Sequence, residues 1–211
     1  MSAVSSVSIC NLALTFLGGK RINAIDENSN NARACNAVYD LSLEEVLLEH
    51  NWTFAQKRVA LATVTGDPVF TDDGVTVIYQ KPVDCLKVNF TNFESALVKL
   101  EGNKILSDTA GLKIIYTYLN TSPQSYTKKF VNAFATLIAH NIAYAITSSR
   151  SMVDDYGKKY LTRLGIAMSV DSSQGTPISP IQDDILIARL SGGGGGVVGR
   201  TGWSTWYPCG C

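Results

Sequence analysis

Residues 130–147 read FVNAFATLIAHNIAYAIT. Phe130, Phe134, Ile138, Ile142 and Ile146 recur every fourth position, so on a helix they form one stripe, which Leu137, Ala133 and Ala145 widen. The stretch carries no Asp, Glu, Lys or Arg. Such a helix has little face to offer water and is predicted to lie at the centre of a core. Pro123 opens this half of the chain. Residues 152–170 follow as a more amphipathic helix, with Met152, Tyr156, Tyr160, Leu164 and Ala167 inward and Asp154, Asp155, Lys158, Lys159 and Arg163 on a solvated face.

A second helical half lies upstream. Val7, Cys10, Leu14 and Leu17 keep helical spacing over residues 3–17, and Gly18-Gly19 stops that helix. After a polar connection anchored by Ile22 and Ile25, a second helix is expected from an Asn cap near 28–31 to about His50. It is carried by Cys35, Val38, Tyr39, Ser42, Val46 and Leu47. A short third helix is expected at 52–61, led by Trp52 and Phe54.

Between the halves the texture changes. Gly66, Asp67, Pro68, Asp72, Asp73 and Gly74 are turn residues. VTVIYQKP (75–82), CLKVNF (85–90) and LKIIYTYL (112–119) read as strands, and ALVKLEGNKILS (96–107) reads as a hairpin about Glu101-Gly102-Asn103. The expected fold is therefore mainly α: a helical bundle with an inserted small antiparallel β-sheet and an extended C-terminal arm. The segments are 1–62 and 122–172 for the two halves of the bundle, 63–121 for the insertion and 173–211 for the arm.

Lys and Arg number 18 and Asp and Glu number 18, and this neutral balance disfavours a dedicated nucleic-acid binder. The N-terminus has no basic region before its apolar residues, and the five cysteines are scattered and odd in number, so a reducing cytosol is the expected place of folding. No membrane span is expected, because Asn132, His140 and Asn141 interrupt the longest apolar run.

No catalytic, cofactor-binding or metal site is expected. His50 reads as a cation at a helix C-terminus and His140 as a partly buried histidine beside the apolar stripe. The acid pairs 26–27, 44–45, 72–73, 154–155 and 183–184 are sequence neighbours, which point apart on a helix. GGGGGVVGR lacks the Lys-Ser/Thr of a phosphate loop and reads as a linker. Cys209 and Cys211 alone would leave a zinc site half made. The arm differs from all of these. Trp203, Trp206 and Tyr207 have no local core to enter, so they either fold back on their own domain or anchor to a partner. The candidate partner-binding residues are Ile185, Ile187, Arg189, Trp203, Trp206 and Tyr207.

Several blocks, in this order, resemble the tail tubular protein A family, the head-to-tail adaptor (connector) proteins of short-tailed bacteriophages. They are NLALTFLGGKRI (11–22), ACNAVYDLSLEEVLLEHNWTFAQKRVALA (34–62), YQKPVDCLKV (79–88), IIYTYL (114–119), FVNAFATLIAHNIAYAIT (130–147), YGKKYLTRLGIAMSVDSSQG (156–175) and DDILIARL (183–190). The most distinctive are Trp-x-Phe-Ala at 52–55 and Pro-x-Asp-Cys-Leu at 82–86. The resemblance implies a virion structural protein without enzymatic activity. It implies a homo-oligomeric ring below the portal protein, matching the portal's twelve-fold symmetry, assembled in the host cytoplasm. Such a ring seals the head, carries tail nozzle or fibre proteins, and lines a channel through which DNA passes at genome ejection without sequence-specific binding. The C-terminal region would reach up to the portal. The alternatives are a lower-tail ring or minor tail protein, a tail-associated cell-wall hydrolase, and a small regulatory binding module.

Overall fold

The computed structural model describes residues 4–65, 74–93 and 96–174. Helix α1 (Ser6–Phe16) starts on a reciprocal cap, in which the Ser5 and Ser8 side chains each accept the other's backbone N–H at 3.2 and 2.8 Å. Its end is a Schellman closure. Gly18 takes φ +71°, its N–H reaches Thr15 O at 3.3 Å, and the Gly19 N–H reaches Leu14 O at 2.8 Å. Helix α2 (Asn30–Glu49) is capped by Ser29, whose Oγ accepts the Ala32 N–H at 3.2 Å, rather than by an asparagine.

The chain then turns into a sheet where a third helix was expected. A single 3-10 turn at Thr53–Ala55 leads directly into strand β1 (Gln56–Ala60). The reason is tertiary. Trp52 is fully buried and its Nε1 donates to Val46 O at 2.8 Å, which folds the chain back on α2. Residues 56–60 then pair with β6 (Lys113–Tyr118) in antiparallel register, Gln56 opposite Thr117 through Ala60 opposite Lys113. Strand pairing overrides the helix-compatible residues of QKRVA.

The remaining strands are β2 (Val77–Gln80), β3 (Cys85–Thr91), β4 (Val98–Glu101) and β5 (Lys104–Ser107). They form two sheets, β1-β6-β3 and β2-β5-β4, each of three antiparallel strands. The expectation of a mainly helical bundle carrying one small inserted sheet is thus corrected: four helices accompany two sheets. Both edges of β6 are occupied, by β1 and by β3, so the β4–β5 hairpin has no place beside it and pairs with β2 instead. The 62/63 boundary also falls after β1, not before the first strand.

Helix α3 (Lys128–Thr147) begins on Thr127, whose Oγ1 accepts the Phe130 N–H at 3.3 Å, and α4 (Arg150–Ser172) returns alongside it. Among the described residues α3 alone is long and apolar enough to cross a membrane, against the expectation from its interrupting polar residues, and 56% of its most apolar window is buried inside the fold. It is the core helix here: α1, α2 and α4 all pack on it. Phe130, Phe134 and Ile138 lie in the larger apolar core. Tyr79, Cys85, Ile105, Leu112, Ile114 and Tyr116 form a second, smaller core in the strand region.

At Gly18 an added Cβ meets nothing within 4 Å, so a substitution there reports backbone strain alone. Gly18→Ala is expected to cost about 1–2 kcal/mol, since the left-handed conformation is disfavoured for L-residues. Chemical denaturation of the two forms measures it, and unchanged stability would mean that this closure does not hold in solution.

Candidate interaction surfaces

Two polar ties fix the frame on which any surface is displayed. Asp171, in the last turn of α4, is 1% exposed. It accepts the Thr53 N–H and the Thr53 Oγ1–H, both at 2.9 Å, and faces His50 Nε2 at 3.5 Å. The order of groups argues against nucleophilic catalysis. In a triad the imidazole stands between carboxylate and hydroxyl, whereas here the carboxylate stands between the two. The arrangement binds the end of α4 to the corner that joins α2 to β1. The position was legible as an anomaly, because Asp171 continues the inward series Tyr156, Tyr160, Leu164, Ala167.

The second tie is at the sheet. Asp84 meets Lys57 Nζ at 2.6 Å and accepts the Tyr116 hydroxyl at 3.0 Å, while Lys57 lies 4.0 Å over the Tyr118 ring. The Lys57 hydrogen bond, helped by the Tyr116 hydroxyl, holds the Asp84 carboxyl below the usual range. Burial first, and then the hydrogen bond to Asp84, push the Tyr116 phenol up to about 12.

The other groups singled out in the sequence take structural places. Cys10 and Cys35 are fully buried and share a hydrogen bond, which pushes the Cys10 thiol up and the Cys35 thiol down. Desolvation by burial opposes the thiolate at both positions. His140 Nδ1 lies 2.9 Å from Val153 O, between α3 and α4. Glu27 accepts the Asn23 N–H and the Ser29 hydroxyl at 2.8 and 2.7 Å, closing the loop before α2. Among the described residues no group of three or more His, Cys, Asp or Glu is placed to hold a metal ion. Ile185, Ile187, Arg189, Trp203, Trp206 and Tyr207, and the acid pairs 72–73 and 183–184, lie outside the described residues.

Two surfaces remain that the sequence reading missed. The first is a groove beside α1. It is made of two hollows that share Leu12, one lined by Leu12, Phe16, Lys129, Asn132, Arg163 and Ile166 and the other by Ser8, Asn11, Leu12, Thr15 and Arg21. Arg163 is held in place there, with its guanidinium carbon 4.5 Å over the Phe16 ring and Nη1 donating to Thr136 Oγ1 at 2.5 Å. The second is the outer arc of α2, where Asp40, Leu41, Glu45, Leu48 and Glu49 are exposed and Glu44 is half-exposed. Leu41 is 71% exposed and Leu48 44%. Helical spacing concealed this face, because sequence analysis registers inward apolar residues and treats the others as solvated.

No protein-family model and no curated protein matches the sequence. The resemblance to phage connectors therefore rests on the quoted blocks alone.

Asp171→Ala is expected to destabilise the fold by roughly 1–3 kcal/mol, because it orphans the Thr53 donors in a buried site. Asp171→Asn should cost less, since the amide oxygen still accepts the Thr53 N–H and the Thr53 hydroxyl can accept from the amide. Thermal melts of both variants test the ranking, and equal melting points for all three forms would remove the tie. For Asp84 the folded pKa lies below the unfolded one, so its contribution to stability is in place at neutral pH. It is lost as the pH falls below roughly 4, through the folded value. Urea midpoints measured from about pH 6 to 2.5 should fall less steeply in Asp84→Asn than in the native chain.

Proposed function

We propose that this chain is a head-to-tail connector subunit of a short-tailed phage virion. In this reading copies form a ring on the portal protein, seal the filled head, carry tail nozzle or fibre proteins, and leave a channel for DNA. The observation that carries it is where the resembling blocks fall. LGG at 17–19 is the closure of α1. Trp-x-Phe-Ala at 52–55 is the buried corner between α2 and β1, and Pro-x-Asp-Cys-Leu at 82–86 is the turn into β3 held by Asp84. Each of these three is a joint of the framework, so the resemblance there concerns how elements are connected and not one surface motif.

The arm, with Ile185, Ile187, Arg189, Trp203, Trp206 and Tyr207, supplies the portal anchor in this reading.

Native mass spectrometry of the chain mixed with portal rings tests the proposal. The expected product is a portal loaded with one full ring. The form lacking 175–211 keeps Ser173 and Gln174, which close α4 onto Ser169 O and Asp171 O, so it should fold and fail to load. Binding to tail proteins but not to portal would move the chain to the lower tail. Clearing of peptidoglycan by the purified chain would make it a hydrolase.

A further inference from the structure

The two surfaces described above are complementary in charge and in apolar content. The groove beside α1 presents Arg21, Lys129 and Arg163 around Leu12, Phe16 and Ile166, and no carboxylate lines it. The outer arc of α2 presents Asp40, Glu44, Glu45 and Glu49 around Leu41 and Leu48, and residues 34–50 contain no Lys or Arg. The one cation of α2, Arg33, sits in its first turn and donates to Asn28 Oδ1 at 2.5 Å. The described ion pairs, His50–Asp171 and Lys57–Asp84, use none of the four carboxylates and none of the three cations.

The surfaces also lie on opposite flanks of α3. Tyr39 packs edge-on against Phe134 at 5.1 Å, and Asn141 Nδ2 donates to Ser42 Oγ at 2.9 Å, so α2 covers the Phe134/Asn141 flank. At roughly 100° per residue, both positions stand about 160–180° around the helix from Asn132, which lines the groove. A single copy therefore cannot bring its own α2 face to its own groove.

We infer that the acidic face of α2 in one copy docks in the basic groove beside α1 of the next. This inference rests on the ring reading above and names the surfaces that would build the ring. Leu41 and Leu48 would enter the apolar floor of Leu12, Phe16 and Ile166, while the flanking carboxylates meet Arg21, Lys129 and Arg163. Because the two patches differ and face apart, the contact is heterologous, the type that generates rings when the rotation between copies closes. Each copy in a closed ring makes two such contacts, so a modest affinity at each suffices once the ring is complete. Fixed cations facing fixed anions also set the register and make the contact salt-sensitive.

The test is a charge exchange on the full chain, followed by native mass spectrometry and sedimentation at low salt. Glu44→Lys with Glu45→Lys reverses the face, and Arg21→Glu with Lys129→Glu reverses the groove. All four positions are at the surface, and circular dichroism checks that each variant folds. The native chain should self-associate, and each double variant alone should weaken this about tenfold or more, since like charges then meet. Mixed in equal amounts, the two variants should associate again, because each reversed surface finds its complement. A zero-length carboxylate–amine crosslinker should join Glu44 or Glu45 of one native copy to Lys129 of another. Self-association that ignores both reversals, or variants that fail to rescue each other, would overturn the inference, as would a native chain that stays monomeric at every concentration. Loading on portal is measured separately, so a chain that loads a full ring normally with either surface reversed alone refutes this contact while leaving the connector reading intact.

Discussion

The burial of Phe130 at the start of α3 is the contact on which the rest of the structure depends. Its ring meets Trp52 at 4.9 Å, Phe54 at 4.9 Å and Tyr126 at 5.0 Å, each near edge-on. Those partners come from the corner after α2, the 3-10 turn before β1, and the approach to α3. One aromatic cluster therefore joins the exit of one helix, the entry to the sheet and the start of the central helix. Such rings bury large areas and prefer edge-to-face geometry, so the cluster sets angles between elements as well as holding them together.

Around that cluster the polar groups act as pins. The Tyr126 hydroxyl donates to Asn120 O at 2.5 Å, and Asn120 Nδ2 reaches Phe54 O at 3.2 Å, which ties the end of the β region to the same corner. Asp171 binds Thr53 from the far end of α4. The corner at 52–55 is thus held from three directions, and the frame it makes carries α2 and the α1–α4 groove on opposite flanks of α3. A ring-forming subunit needs that property: two different surfaces, rigidly separated, with a fixed rotation between them. The functional proposal and the inferred contact both draw on this rigidity, but they use different surfaces, the arm in one case and the helical body in the other.

Much of the fold was legible. The strands at 77–80, 85–91 and 113–118 and the hairpin at 98–107 fall where β-branched residues and Gly102 place them, and α1, α2, α3 and α4 follow their apolar periods. What failed was the region 52–61. QKRVA has no strong preference of its own, and its state was decided by an unpaired edge of β6 more than fifty residues later in the chain. The division into two sheets was equally hidden, because strand partners depend on which edges are already filled and not on the composition of any strand.

The candidate surfaces follow the same division. Sequence alone determined which residues carry charge and where the four long helices run, because charge and period are local properties. It could not show that Lys129 and Arg163 line one hollow and Arg21 the hollow on the other side of Leu12, since they come from three separate parts of the chain that are brought together only when α1, α3 and α4 pack. Nor could it show that α2 lies on the other flank of α3. That arrangement was decided by the tertiary structure, through the side chains that α3 presents to each neighbour: Phe134 and Asn141 to α2, and His140 and Thr136 to α4.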